Sequence, residues 1–420
     1  MIGDGWDGDP AARPGAEEAM TPGRRRVTVV TGTRAEFGLL APVMRAVRDR
    51  ADLELVVIAA GSHLLSPALT YREVKAEFVG HLGDQVPMQL DGHVGRAADV
   101  EALGRGVARF GRSFERLSPD WVVVLGDRIE AFAAASAAAV GGRALAHIHG
   151  GDRAEGVADE AMRHAISKLA NLHLAATAES AKRLARMGER EELIRVVGSP
   201  ALDGLAEIPE MGDARAEEMG DPSAVFLLHP IGRADEHEER VAAEALEATR
   251  AACGRVLALH PNFDPGRAGV LIAIGAAIGS VGGGVGGVRA EAHLRRHEFV
   301  GLLKRLARKA REAHGAQSGS AARGGVVVGN SSAGLIECAA LGVPVVDIGS
   351  RQAGRERAGN VVHAEEHGEA VLRAIGVARG LRLAEMEHPF GDGRAGERVA
   401  AALAQVSPHD PGLMRKRNVY

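Results

Sequence analysis

Short runs of β-branched and aliphatic residues recur along this chain, separated by longer stretches with apolar residues at helical spacing, and that rhythm restricts the fold more than any motif. The first runs lie at residues 27–30, 53–58, 121–125, 144–148, 172–175 and 194–197. Continuous apolar runs belong to strands buried on both faces, and strands separated by helix-length segments pair in parallel. Residues 39–50, 98–117 and 159–170 carry apolar side chains three and four apart with charges between them, the pattern of helices that cover such a sheet. After Gly198-Ser199-Pro200 the composition turns acidic and the runs stop until residue 224, which places a linker near residues 203–222. A second set follows at residues 225–228, 256–259, 326–328 and 343–348. The expected fold is α/β: two doubly wound Rossmann-like domains, residues 27–205 and 222–390, facing each other across a cleft.

Four segments fall outside this scheme. Residues 1–26, rich in Gly, Asp, Pro and Arg, are expected to form a disordered extension without the apolar core of a signal peptide. Residues 278–288, mostly Gly and Val, and residues 309–325, mainly Ser, Ala, Gly and Arg, read as insertions that bury too little apolar area to hold one conformation. Residues 394–406 have the spacing of a last amphipathic helix. The weakly polar stretch 269–288 is broken by glycines and makes a poor membrane span. A net charge of −4 and an aromatic content of 3% argue against nucleic acid or an anionic membrane as partner. Two cysteines, Cys253 and Cys338, give no disulfide framework and suit a reducing cytoplasm.

The ionisable residues gather at strand ends. Gly329-Asn330-Ser331-Ser332-Ala333-Gly334-Leu335-Ile336-Glu337 leaves the run 326–328 and enters a helix-compatible stretch, residues 335–341. Free N–H groups at a helix start, beside the hydroxyls of Ser331 and Ser332, suit a diphosphate. Glu337, a little over one turn on, is placed to accept hydrogen bonds from a ribose diol. The segment also reads as an ordinary serine cap. Thr31-Gly32-Thr33-Arg34-Ala35-Glu36 is a second small-residue turn into a helix, with neither a Walker lysine nor GxGxxG, so no ATP P-loop and no nicotinamide or other cofactor is expected. Arg34 either faces phosphates held across the cleft or sits in solvent. Asp127, in Gly126-Asp127-Arg128, is a cleft carboxylate or the cap of a helix starting near residue 129.

His147-Ile148-His149-Gly150-Gly151-Asp152 ends the next strand, and alternation puts both histidines on one face with Asp152 in reach. Without further ligands that is a weak zinc pattern, and no metal is expected. The better reading is a loop that delivers several ionisable groups to a cleft, with Asp159 on the helix that follows, where close carboxylates act as acid and base. His229, before Pro230, is a candidate for phosphate or proton contact, and Arg351 adds a cation near the diphosphate site. The turn Pro261-Asn262-Phe263-Asp264-Pro265-Gly266 reads as structural.

Taken together and in order across roughly residues 27–400, these segments, with Asp159-Glu160, Arg163-His164-Ala165 and the stretch from Gly349 to Val361, resemble the hydrolysing UDP-N-acetylglucosamine 2-epimerases of sialic acid biosynthesis and their bacterial relatives. The resemblance implies a glycosyltransferase-B architecture and a reaction in which UDP is eliminated across C1–C2 to a glycal that water then converts to N-acetylmannosamine. It implies acid–base roles for Asp127 and Asp159, a substrate contact for His229, phosphate contacts for Ser331, Ser332 and Arg351, and a ribose contact for Glu337. Arg34, Glu36 and Arg128, inside matching segments, are expected among the substrate contacts. Some family members carry Glu where this chain has His149, so proton transfer there falls to His149 or to Asp152. A UDP-2,4-diacetamido-trideoxyhexose of the legionaminic acid route is the alternative substrate, and a glycosyltransferase or UDP-sugar sensor on the same fold the alternative class. The expected partners are a UDP-sugar and further copies of the chain, as a dimer or tetramer.

Overall fold

The computed structural model describes residues 23–66, 69–93, 95–154, 159–262, 264–279, 287–292, 294–315, 324–383 and 386–419, the side chains of 159 and 315 excepted. The first sheet holds seven strands: β1 Arg25–Thr31, β2 Leu53–Ala60, β3 Leu82–Val86, β4 Trp121–Leu125, β5 Ala144–Ile148, β6 Leu172–Ala175 and β7 Ile194–Val196. Their spatial order is β3-β2-β1-β4-β5-β6-β7, and every pairing is parallel. The second sheet holds six: β8 Ala224–Leu227, β9 Val256–Leu259, β10 Val288–Glu291, β11 Val326–Gly329, β12 Val345–Ile348 and β13 Val361–Ala364. They run in the order β10-β9-β8-β11-β12-β13, again all parallel.

Side-chain alternation splits the central strands between two cores, as a sheet covered on both faces requires. Trp121, Val123 and Leu125 of β4 face the layer containing the helix Arg34–Arg48, while Val122 and Val124 face the helix Ile129–Val140. In β8, Phe226 and Val225 divide in the same way. Strands β3, β10 and β13, none of them anticipated, all lie at sheet edges. An edge strand needs no continuous apolar run, and Leu82-Gly83-Asp84-Gln85-Val86 and Val288-Arg289-Ala290-Glu291 have none.

Three expectations change. Residues 25 and 26, assigned to the extension, open β1, and the Arg25 guanidinium donates to the carbonyls of Leu403, Ala404 and Val406. Those carbonyls end the helix Ala395–Gln405 and have no intrahelical donor, so a cation is favoured there. Residues 309–315, assigned to an insertion, are the last turns of the helix Arg296–Gly315, where Lys309 bonds Asp221 at 2.6 Å and Ala310 is buried. Residues 316–323 of that segment lie outside the described residues, as do residues 280–286 of the other. The linker, finally, is packed rather than free: Met211 N–H donates to Gly301 O at 3.0 Å, and Arg305 pairs with Asp213 and Asp221 at 2.7 and 2.9 Å. None of the helices among the described residues is long and apolar enough to cross a membrane.

The chain passes between the sheets twice. It leaves the first through Gly198–Asp203, and it returns through residues 386–394 to the helix Ala395–Gln405, which buries Val399, Ala400 and Leu403 in the first sheet's core. The two passages touch, with Ser199 N–H donating to Phe390 O at 2.8 Å. Asp203 caps the returning helix, accepting from Ala395 N–H at 2.9 Å and Gly396 N–H at 2.6 Å, whereas the local cap residue Arg394 makes no side-chain cap bond. Losing an N-cap costs about 0.5–2 kcal/mol. Asp203→Ala is accordingly expected to lower stability by about 1–2 kcal/mol in urea titration, with Asp203→Asn closer to the parent.

Candidate active site

Parallel strands deliver their carboxyl ends to one edge, and here the edges of the two sheets meet. Gly126 follows β4 in the left-handed region at φ 74° and hands the chain to Asp127 and Arg128. Asp127 does not cap the helix that follows: its carboxylate is ion-paired with the Arg163 guanidinium, and Arg163 also donates to His149 O at 3.1 Å. Arg163 is buried, and Asp127 keeps a side-chain exposure of 16%. Asp159 opens the helix Asp159–Leu169 that carries Arg163; its side chain lies outside the description.

The two histidines of the β5 segment diverge, contrary to the alternation argument. His147 is sequestered, with Nε2 2.8 Å from Gly126 O and Nδ1 3.1 Å from Ser167 Oγ. His149 has a φ of 63°, a conformation that costs a side-chain-bearing residue about 1 kcal/mol and that breaks the strand's alternation. Its Nδ1 is 2.8 Å from Asp152 Oδ2 and its Nε2 is 3.0 Å from Ser199 Oγ. Gly151 serves close approach, since a Cβ there would lie 2.3 Å from Ser180 O. No group of three or more His, Cys, Asp and Glu side chains among the described residues is gathered to hold a metal.

Asp152 is buried and also accepts from Ser180 Oγ at 2.7 Å. Burial alone would raise its pKa, but coupling and hydrogen bonding to His149, with Arg355 and Arg163 near, outweigh burial and hold the carboxyl far below its usual range. Arg355, on the loop after β12, crosses from the second sheet to stand 3.7 Å from Asp152. Two more ion pairs span the cleft, Arg128–Asp264 at 2.6 Å and Arg183–Glu356 at 2.8 Å.

On the second sheet, Asn330 organises the edge. Its side chain accepts from His229 N–H at 2.7 Å and donates to His229 O at 2.8 Å, while its own carbonyl accepts from Arg351 at 3.1 Å and Gln352 at 2.8 Å. The preceding Gly329 has to be glycine, because a Cβ would fall 1.9 Å from Leu227 O. His229 Nδ1 accepts from Asn262 N–H at 3.1 Å, which leaves the ring hydrogen on Nε2. Ser331 is the cap of a single-turn helix, Ser332–Leu335, bonding Ala333 N–H at 3.4 Å. The expected single helix is broken at Ile336, where ψ is −71°, and restarts as Glu337–Leu341. Glu337 thus opens a helix instead of lying one turn into it, buried and 3.8 Å from Arg296. Burial raises its pKa against the pull of Arg296, His149 and Arg355.

Besides Arg128, which pairs with Asp264, two expected contacts have other partners. Arg34 pairs with Glu73 at 3.3 Å. Glu36 folds back in a capping box, accepting from Gly32 N–H at 2.7 Å and Thr33 N–H at 3.3 Å, and burial pushes its pKa up to about 8. Asp127, His149, Asp152, Glu337 and Arg351 come together with Arg163, Arg355, Ser199 and Asn330, which sequence reading did not single out. The signal for Arg355 was present, a cation in the loop after β12, but its burial was not legible.

Three buried histidines stay neutral: burial lowers His229 and His147 to about 3 and His63 to about 4, from an ordinary 6.5. The unfolded chain takes up these protons as the pH falls through about 6.5 while the folded chain does not, so stability falls with pH across that window, by up to about 1.4 kcal/mol per pH unit per histidine. His229→Asn, whose amide oxygen still accepts from Asn262 N–H, is expected to flatten the slope of unfolding free energy between about pH 6.5 and 5. An unchanged slope in urea titrations would remove His229 from this account.

Residues 45–404 match the sequence profile of the UDP-N-acetylglucosamine 2-epimerase family. The chain is 33% identical over 404 residues to a UDP-N,N'-diacetylbacillosamine 2-epimerase (hydrolyzing) of Legionella pneumophila, covering 94% of this chain and 100% of the relative. It is 30% identical over 378 residues to a UDP-N-acetylglucosamine 2-epimerase of Neisseria meningitidis, covering 88% and 91%. Among solved structures, the S. aureus MnaA–UDP complex superposes with a TM-score of 0.71 at 18% identity, over 90% of this chain and 96% of that one, which shows the shared two-sheet, glycosyltransferase-B-like fold. With its profile match spanning most of the sequence and a relative matched over its full length, the chain belongs to the UDP-N-acetylglucosamine 2-epimerase family.

Proposed function

We propose that this protein is a hydrolysing 2-epimerase of a UDP-2-acetamido sugar, converting UDP-N-acetylglucosamine and water to N-acetylmannosamine and UDP. The observation that carries this reading is the meeting of Asp127, His149 and Asp152 at the first sheet's edge with Arg355 and Glu337 from the second. Elimination breaks the C1–O bond to UDP and removes the C2 proton. Hydration then adds OH at C1 and a proton at C2 on the opposite face. Such a path needs a positioned base for a weakly acidic C–H and cations for the departing diphosphate. Asp127 and Asp159 take the acid–base roles, with His149 and Asp152 as the coupled pair beside them. Ser331, Ser332 and Arg351 hold the diphosphate, His229 contacts it through Nε2, and Glu337 holds the ribose. The matched Legionella relative favours a second reading, in which the sugar carries a further acetamido group at C4. A panel of UDP-sugars with product identification separates the two.

Two outcomes test the shared chemistry. Asp127→Asn keeps an oxygen for Arg163 but loses basicity, and it is expected to lower turnover on the order of a hundredfold to ten-thousandfold with UDP affinity little changed. In heavy water the wild-type product should carry deuterium at C2; product without it would rule out the glycal path. Replacing Ser331 and Ser332 together by Ala removes two charge-assisted bonds of about 1.5–3 kcal/mol each, so UDP affinity measured by calorimetry should fall at least about tenfold.

A further inference from the structure

His149 is held at both ring nitrogens by buried groups, Asp152 and Ser199. An ionised carboxylate only accepts, so Nδ1 carries a hydrogen and donates it to Asp152 Oδ2. In the neutral ring Nε2 is then an acceptor, and the partner 3.0 Å away must donate. Ser199 can do so, because its Oγ uses one lone pair on Ala201 N–H at 3.3 Å and keeps its own O–H free to point at the ring. When Nε2 gains a proton the same hydroxyl turns and offers its second lone pair. A carbonyl would suit only the charged ring, and a backbone N–H only the neutral one. A hydroxyl alone serves both without moving a heavy atom.

The other ionisable groups near His149 act differently. Arg163 bonds its backbone carbonyl, Glu337 and His147 act on the ring through space, and Arg355 acts on its partner Asp152. Among the described residues Ser199 is the one hydrogen-bond partner of Nε2. Ser199 is itself fixed from outside the site, by its N–H bond to Phe390 O on the returning passage.

We propose that Ser199 is a positioning residue of the acid–base site, a reversible donor and acceptor that keeps His149 in one orientation and one tautomer through a cycle of proton gain and loss. This deepens the epimerase reading and rests on it for its link to turnover. The test uses the full-length protein and two readouts. Ring nitrogen NMR, with His149 assigned by the signals lost in His149→Gln, should show the neutral wild-type ring protonated at Nδ1. In Ser199→Ala the ring should populate a second tautomer or orientation, and Ser199→Thr should restore the wild-type spectrum. On the best UDP-sugar of the panel, Ser199→Ala should lower kcat about tenfold with KM little changed and alter the pH profile of kcat, with Ser199→Thr recovering most of the rate. A wild-type ring protonated at Nε2 overturns the proposal whether or not the Ala variant folds. So does a Ser199→Ala protein with wild-type nitrogen shifts and pH profile. The spectra need no substrate, so a wild type inactive on every UDP-sugar would overturn the epimerase reading separately.

Discussion

Every strand in both sheets runs parallel to its neighbours, and the rest of the molecule follows from that constraint. A parallel sheet sends all its strands out at one edge, so the polar loop that follows each strand collects there. Two such edges brought face to face confront carboxylates with guanidiniums across a narrow gap. Buried charges in that setting have to be paired. Asp127 with Arg163, Asp152 with Arg355 and Arg128 with Asp264 meet that demand, and two of the three pairs join one sheet to the other.

The fold was legible wherever burial on both faces forces a continuous apolar run, as in β1, β4, β5, β8 and β11. It was illegible at three of the four edges, where β3, β10 and β13 need only one covered flank, and in the helix Arg296–Gly315, whose last turns resemble an insertion until Lys309 meets Asp221. The site was legible in part for a related reason. Sequence assigns a residue to a strand end, and so placed Asp127, His149 and Asp152 correctly at an edge. It does not assign φ, and the left-handed turn at His149 is what separates it from His147. Nor does it reveal long-range partners: Ser199 lies 50 residues from His149 and Asn330 lies 101 from His229. In sequence Asn330 reads only as part of the diphosphate turn, yet its side chain replaces two backbone partners at once.

The glycines beside these residues mark where backbone must pass close to backbone. Gly329 lies against Leu227 O and Gly151 against Ser180 O. The small-residue pattern of the motifs therefore reports packing at the edge as much as room for a ligand. The chemistry resides in the side chains that those glycines allow to converge.

The paired passages between the sheets have a mechanical consequence. One connecting strand leaves a swivel, because every φ and ψ along it is a separate joint. Two strands fastened side by side, through Ser199 and Phe390 and through Asp203 on the returning helix, share only the rotation axis that threads both. Sliding and twisting of one half against the other are thereby restrained along that side.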